Sequence, residues 1–153
     1  MSERFVMPDE KSLAACLTMI YGEEPELHVI KPEILQPDYI ANYIDAADKR
    51  VAQCISDMSA TVSLACALSL IPIPTAQEMI QTKTLTPIAE ENFHEVMNIF
   101  SSLFMNDKTD HLTLHQIHRD KEGAKGQLAG NQSIGYEIAG VKYPQGRLLF
   151  TSL

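Results

Sequence analysis

The chain has 153 residues, of which 45% are hydrophobic and 21% are charged. This length suits one domain with a continuous core, and the composition argues against a disordered, fibrous or coiled-coil protein. Twelve basic residues stand against 20 acidic ones, and the formal net charge of −8 disfavours nucleic acid as a partner because phosphates require a basic surface. We therefore predict a single domain over residues 1–153.

The first third of the chain predicts a helix and then an edge strand. Apolar residues recur at helical spacing over residues 9–21, and Gly22 can adopt the left-handed conformation that follows a helix end. Residues 23–37 hold three prolines around the apolar run 27–30. Proline cannot donate to an inner ladder, so this run is predicted to lie at a sheet edge.

Three apolar stretches follow, over residues 39–46, 50–56 and 61–70. Each has the composition of a strand, and only residues 57–60 separate the last two. We predict a hairpin of 50–56 and 61–70. Its second strand is nearly all apolar, which indicates cover on both faces.

Two helices are predicted after the prolines at positions 72 and 74. The first covers residues 75–82, with Thr75 as its cap. The second covers residues 87–104, where Thr86 and Pro87 have the order of an N-cap and a first helical residue. Its predicted apolar stripe comprises Ala89, Phe93, Val96, Met97, Phe100, Leu103 and Phe104.

The C-terminal part predicts strands over residues 112–118, 133–139 and 147–152, and the last two form a hairpin. The glycines at 123, 126 and 130 lack the spacing of a phosphate-binding loop and are predicted to lie in a plain loop. The order of helices and strands predicts an α+β fold, with the helices packed on one face of a mainly antiparallel sheet.

The cysteines predict a reducing compartment. Cys16, Cys54 and Cys66 are odd in number and lie in apolar stretches, which is typical of reduced core thiols. The first eleven residues lack the pattern of a secretory signal, and the longest apolar run, 61–74, is too short to cross a bilayer. We therefore expect a cytoplasmic protein with no membrane partner.

The polar residues of the second predicted helix form one line opposite its apolar stripe. Glu91, Glu95, Asn98 and Ser102 fall at i, i+4, i+7 and i+11. An amide at 98 could hold a water in line with a phosphorus atom, while the carboxylate at 95 could pair with a cation of a docked molecule. The alternative is a solvated polar face, which every surface helix has.

The segment Glu95-Val96-Met97-Asn98 resembles the ExxN signature of the CheC/CheX/FliY family of bacterial chemotaxis phosphatases. The resemblance covers residues 50–104, taking 51–56 and 61–70 as the family's hairpin, 75–82 as its intervening helix and 87–104 as its catalytic helix. It implies dephosphorylation of a phosphorylated response regulator of the CheY kind, with Asn98 placing the water and Glu95 engaging the regulator. The metal ion would belong to the regulator, so no cofactor is expected on this chain. A single motif is closer to the CheX type, which implies a homodimer.

The family's fuller pattern has Asp or Ser four residues before the Glu and Gly four residues after the Asn. This chain has Glu91 and Ser102 there, and both are predicted to lie against the docked partner. These departures favour a second hypothesis, in which the chain is a non-catalytic dimerising or docking module of the same fold.

A third hypothesis concerns Asp110, His111, His115 and His118. On a helix the three histidines would share a face and could bind zinc or iron. The neighbouring Thr113, Leu114 and Ile117 favour a strand instead, in which His111 and His115 share one face and His118 points to the other. We therefore expect no metal site.

Overall fold

The computed structural model describes residues 5–120 and 132–153. Within these ranges it contains four α-helices and six β-strands. The helices are α1 (Glu10–Tyr21), α2 (Met58–Ser69), α3 (Ile73–Thr82) and α4 (Pro87–Phe100). The strands are β1 (Glu26–Ile30), β2 (Tyr39–Ile44), β3 (Arg50–Ser56), β4 (Thr113–Arg119), β5 (Ser133–Ala139) and β6 (Gly146–Ser152). Two short 3-10 turns cover Pro32–Ile34 and Ser101–Phe104.

The six strands form one antiparallel sheet in the order β1-β5-β6-β3-β2-β4. Strands β1 and β4 are its edges, which confirms the predicted edge position of residues 27–30. The pairs β2–β3 and β5–β6 are hairpins, and the second of them was predicted. The α+β class is confirmed.

The main core lies between the helices and one face of the sheet. It includes Tyr43 of β2 and Phe150 of β6 together with Phe100 of α4, all fully buried. The opposite face carries a smaller buried apolar cluster. In it, Leu35, which follows the first 3-10 turn, packs on three strand residues. The cluster comprises Leu35, Ile40, Ile55 and Leu149. The helices therefore pack on one face of the sheet, as predicted.

The predicted strand over residues 61–70 is wrong, because this stretch belongs to α2. The Asp57 carboxylate caps the helix by accepting a hydrogen bond from the Ala60 amide at 2.8 Å. Helix α2 is buried on nearly all sides, so its sequence has no amphipathic stripe. An all-apolar run does not distinguish a buried helix from a buried strand. The hairpin assigned to 51–56 and 61–70 therefore does not form, and β3 pairs with β2 instead.

Helix α2 lies directly against the start of β6. A Cβ atom on Gly146 would overlap the backbone nitrogen of Ala60, so this approach requires glycine. The two buried hydroxyls of α2 both have partners. Thr61 lies 2.7 Å from the Ser56 hydroxyl, and Ser63 lies 2.8 Å from the Tyr21 hydroxyl. The buried position of α2 therefore leaves neither hydroxyl unsatisfied.

The other helix boundaries follow local signals. Helix α1 begins after Asp9, whose carboxylate accepts from the Ser12 amide at 2.7 Å, and ends at Gly22 with φ of 74°. The predicted end at Tyr21 is correct, and the predicted start at residue 9 is one residue early. Helix α3 begins earlier than predicted, after Pro72, which makes no side-chain capping bond. Thr75 is therefore a residue of the first turn and not the cap.

Candidate functional site

Helix α4 has the predicted start and a shorter extent. The Thr86 hydroxyl accepts a hydrogen bond from the Ala89 amide at 3.3 Å, and Pro87 is the first helical residue. The α-helix ends at Phe100, and residues 101–104 continue as a 3-10 turn. The predicted apolar stripe is buried along its whole length. Its members are Ala89, Phe93, Val96, Met97, Phe100, Leu103 and Phe104.

The polar line of α4 faces outward. Glu91, Glu95, Asn98 and Ser102 are all exposed. Among the described residues, neither the Glu95 carboxylate nor the Asn98 amide makes a side-chain hydrogen bond or an ion pair. These two groups lie one helical turn apart and are free to contact a molecule docked on α4. The roles that the resemblance gives them remain predictions.

Ser102 differs from the other three because it lies in the 3-10 turn and not in α4. Its hydroxyl donates to the Ile99 carbonyl at 2.9 Å, and the neighbouring Ser101 hydroxyl donates to the Asn98 carbonyl at 2.7 Å. These hydroxyls are second donors to the Asn98 and Ile99 carbonyls, which also accept the Ser101 backbone amide at the end of α4. The Ser102 hydroxyl is therefore engaged at the helix end.

The position of α4 is fixed by a polar contact that the sequence analysis missed. Asn92 donates through Nδ2 to the Ala65 carbonyl at 2.9 Å and to the Ser69 hydroxyl at 2.6 Å, both on α2. On the sheet side, the ring of Phe93 packs against that of Tyr39, with 5.6 Å between centroids. The sequence shows Asn92 as a single amide residue between apolar positions of the helix, but it does not indicate which residues this amide binds.

Tyr43 fixes α4 next to Asn98. This tyrosine of β2 is fully buried, and its hydroxyl donates to the Met97 carbonyl at 2.6 Å. In a continued α-helix the Ser101 amide would donate to the Met97 carbonyl. Because the 3-10 turn begins here, that amide donates to the Asn98 carbonyl instead. The Tyr43 hydroxyl takes its place as the donor to the Met97 carbonyl. Burial raises the pKa of Tyr43 well above its ordinary value, so the hydroxyl keeps its proton.

We expect Tyr43→Phe to lower the free energy of unfolding by about 1–3 kcal/mol, because the buried Met97 carbonyl loses its donor. Chemical denaturation measures this loss. Tyr143→Phe is the matched control, since Tyr143 donates to the Ile71 carbonyl at 2.7 Å, far from Asn98 in the sequence. Tyr43→Phe should also shift the NMR resonances of Asn98, and the control should not. Equal Asn98 shifts in both variants would contradict the positioning role of Tyr43.

The histidine segment forms a strand, as predicted. Strand β4 begins at Thr113, so His111 precedes it, and His115 falls at an irregularity of the β2–β4 pairing. The metal hypothesis required this segment to be helical. No group of three or more histidine, cysteine or acidic side chains in the described part of the chain is arranged to hold a metal ion.

His118 has a structural partner. It pairs across the strands with Ile40, on the face opposite the helices, and its Nδ1 lies 3.3 Å from Nδ2 of Asn42. The Asn42 oxygen accepts from Nε2 of Gln53 at 2.7 Å, so the three side chains form one polar row across the strands. Asn42 and Gln53 are buried, and Oε1 of Gln53 has no partner among the described residues.

The three cysteines are free thiols. Burial raises the pKa of Cys16 and of Cys66 to about 11, and it raises that of Cys54 further above its ordinary range. Thiols with raised pKa values are poor nucleophiles at neutral pH. The predicted glycine loop with Gly123, Gly126 and Gly130 lies outside the described residues. Within the ranges that the structure describes, none of the helices is both long and apolar enough to cross a bilayer.

Comparison with known proteins relates this architecture to solved structures. The sequence matches no family model and no curated protein. The FliM middle domain from H. pylori gives a TM-score of 0.58 at 10% identity, over 93% of this chain and 83% of that chain. FliY from Thermotoga maritima gives a TM-score of 0.58 at 11% identity, over 91% and 81%. CheX from Borrelia burgdorferi, in a complex with CheY, BeF3 and Mg²⁺, gives a TM-score of 0.51 at 9% identity, over 90% of each chain.

The chain has the fold of the CheC/CheX/FliY family. The resemblance stated from the sequence is thereby confirmed as a likeness of fold. At identities near 10% the likeness does not extend to activity.

Proposed function

We propose that this chain docks through α4 onto a phosphorylated response regulator of the CheY kind and accelerates hydrolysis of its aspartyl phosphate. The observation that carries the proposal is the exposed Glu95–Asn98 pair, one turn apart and free of side-chain partners among the described residues. The pair lies on a helix fixed from behind by Tyr43 and Asn92. The likeness to CheX, whose structure contains CheY, supports a partner of this class.

The proposed step is attack of water on phosphorus. Asn98 accepts a hydrogen bond from the water and holds its oxygen in line with the bond between phosphorus and the aspartyl oxygen. The new phosphorus–oxygen bond forms as that bond breaks, the aspartate leaves as a carboxylate, and the water's proton passes to the inorganic phosphate. The divalent ion of the reaction belongs to the regulator in this proposal, so the chain supplies no cofactor. The three free thiols, two of them buried, support a cytoplasmic setting.

The direct test is release of inorganic phosphate from a phosphorylated regulator encoded near this chain, with and without the protein, alongside a binding measurement. Acceleration that saturates with regulator concentration supports the proposal. A wild-type protein that binds no phosphorylated regulator would contradict it.

We expect Glu95→Gln to weaken regulator binding by about tenfold, because a carboxylate paired with a cation in a partly desolvated interface contributes about 1.5–3 kcal/mol. Glu78→Gln is the matched control, since Glu78 is an exposed carboxylate that lies on α3 and not on α4. Titration calorimetry at two salt concentrations measures both variants. Equal loss of affinity in the two variants would indicate a general charge effect and remove the specific role of Glu95.

The second candidate function is a docking module without turnover. The observation that favours it is Ser102, which replaces the family's Gly and whose hydroxyl is engaged with the Ile99 carbonyl in the 3-10 turn. Glu91 is the other departure, and it adds a carboxylate beside Glu95. Binding of the regulator without acceleration would select this function. Ser102→Gly and Glu91→Asp would then be the variants that restore the family pattern.

We also propose that the chain forms a homodimer through edge strand β1. Its pairing with β5 is regular, and Val29 on β1 is 65% exposed, whereas the pairing of the other edge, β4, is irregular. A regular edge with an exposed apolar side chain invites pairing with a second copy. Light scattering at micromolar concentration should give twice the chain mass of 17.0 kDa. Val29→Lys should give the monomer mass, and a wild-type monomer would contradict the proposal.

A further inference from the structure

A cavity of about 250 Å³ lies between α4 and the strands β2 and β4. Phe93 and Leu85 are buried, while Tyr39 and Ile117 are half-buried and Glu90 and His94 are exposed. The buried side chains therefore form an apolar floor, and the exposed ones form a polar rim. The lining residues are Tyr39, Leu85, Glu90, Phe93, His94 and Ile117.

The cavity adjoins the proposed docking surface. Glu90, His94 and Asn98 fall at i, i+4 and i+8 of α4, so they form a row beside Glu91 and Glu95. The rise between His94 and Asn98 is about 6 Å along the helix axis. A protein that brings its reacting group to Asn98 therefore also covers the cavity.

The size and lining of the cavity define the group it would hold. Cavities for small molecules measure roughly 300–1,000 Å³, so this one suits a single large side chain. Its floor offers apolar surface and edge-on aromatic contact, because the Tyr39 and Phe93 rings are already packed edge to face. A phenylalanine or leucine side chain matches both features. A buried anchor of this kind is what distinguishes strong interfaces from weak ones of equal area.

The charge around the cavity defines the neighbours of that side chain. Glu90, Glu91 and Glu95 place three exposed carboxylates on this part of α4. Among the described residues, the Arg119 guanidinium lies nearby, 5.5 Å from the centroid of the Tyr39 ring, and His94 is the titratable group of the rim besides Glu90. Over the part of the chain that the structure describes, the balance of charge around the cavity is acidic and favours a partner segment with basic residues beside its anchor.

We propose that the cavity receives one large apolar side chain of the docked protein, flanked in that protein by lysine or arginine. The proposal rests on the proposed function for the identity of the partner, the phosphorylated regulator, and it adds a specificity pocket outside the reacting groups. The Glu90 carboxylate and the apolar floor act together. The first recognises the flanking cation, and the second holds the anchor.

The test uses three blocked tripeptides, Lys-Phe-Lys, Lys-Ala-Lys and Glu-Phe-Glu, titrated into the ¹⁵N-labelled protein. Lys-Phe-Lys should shift the amide resonances of Phe93, His94 and Ile117 and saturate. The other two should bind at least about tenfold more weakly, because one lacks the buried side chain and the other has the wrong charge. Equal binding of Lys-Phe-Lys and Lys-Ala-Lys would contradict the proposal that the cavity holds a large apolar side chain. The same shifts on raising the protein concentration alone would identify a second copy of the chain as the occupant and would also overturn the proposal.

Two variants complete the test. Glu90→Lys changes an exposed residue and should invert the preference between Lys-Phe-Lys and Glu-Phe-Glu. Ile88→Ala is the control, because Ile88 is an apolar residue of α4 that is 60% exposed and does not line the cavity. If Glu90→Lys still prefers Lys-Phe-Lys over Glu-Phe-Glu as the wild type does, Glu90 does not recognise the flanking cation.

The two proposals fail separately. With the phosphorylated regulator as substrate, Glu90→Lys should raise the Michaelis constant by about tenfold and leave the saturating rate within about twofold, because the cavity lies outside the reacting groups. Acceleration without tripeptide binding would overturn the pocket alone. Tripeptide binding without regulator binding would overturn the proposed function alone.

Discussion

Asn98→Ala is expected to reduce the accelerated release of phosphate by about 10²-fold or more while leaving regulator binding within about threefold. An amide that orients a water stabilises mainly the transition state, since in the ground state the water is bound weakly and solvent can replace it. The side chain is exposed and makes no hydrogen bond among the described residues. Its removal therefore leaves the fold intact, and thermal unfolding should confirm this.

Asn98→Asp is the informative companion. It keeps the shape and the acceptor atoms but loses the amide donor and adds a negative charge that repels the phosphoryl group. We expect it to bind the regulator less tightly than Asn98→Ala. Gln77→Ala, an exposed amide on α3, is the control for a general surface effect. Full acceleration by Asn98→Ala would remove the water-placing role and leave the polar line as a solvated helix face.

Phe100→Ala is expected to lower the free energy of unfolding by about 3–5 kcal/mol. The Phe100 side chain is fully buried, and its ring centroid lies 5.9 Å from that of Phe150 on β6. Truncation leaves a cavity between α4 and the sheet that the neighbouring strands cannot fill by relaxing. Denaturant titration by circular dichroism measures the loss.

The matched control for Phe100→Ala is Ile88→Ala on the same helix, where the side chain is 60% exposed. We expect it to change the free energy of unfolding by less than about 0.5 kcal/mol, because little apolar surface returns to water. Equal losses in the two variants would contradict the assignment of Phe100 to the core and of Ile88 to the surface.

The elements that the sequence predicted correctly are those with signals in the element or directly beside it. Gly22 marks the end of α1, and Thr86 and Pro87 mark the start of α4. The outward direction of Glu95 and Asn98 followed from helical periodicity alone, because a surface helix must turn its apolar stripe to the core. Local hydrogen bonding and amphipathic spacing need no knowledge of distant residues.

The extent of α4 was predicted less well. The apolar stripe continues through Leu103 and Phe104, and both are buried as expected, but the backbone tightens to a 3-10 turn after Phe100. Buried apolar residues recur at similar spacing in both helix types over one turn, so periodicity does not locate the change. The hydroxyls of Ser101 and Ser102 add a second donor to the Asn98 and Ile99 carbonyls at this change, and that pattern becomes visible only in the folded chain.

The tertiary structure alone decided whether residues 61–70 form a strand or a helix. Their run of apolar residues fits either element when it is enclosed on all sides, and the choice depended on β2 pairing with β3 and on Gly146 admitting α2 against β6. The hydrogen bond from Tyr43 to the Met97 carbonyl joins residues 54 positions apart, and it too has no local signal. Burial and hydrogen bonding between distant segments depend on which surfaces meet, and a single sequence records the composition of those surfaces but not their pairing.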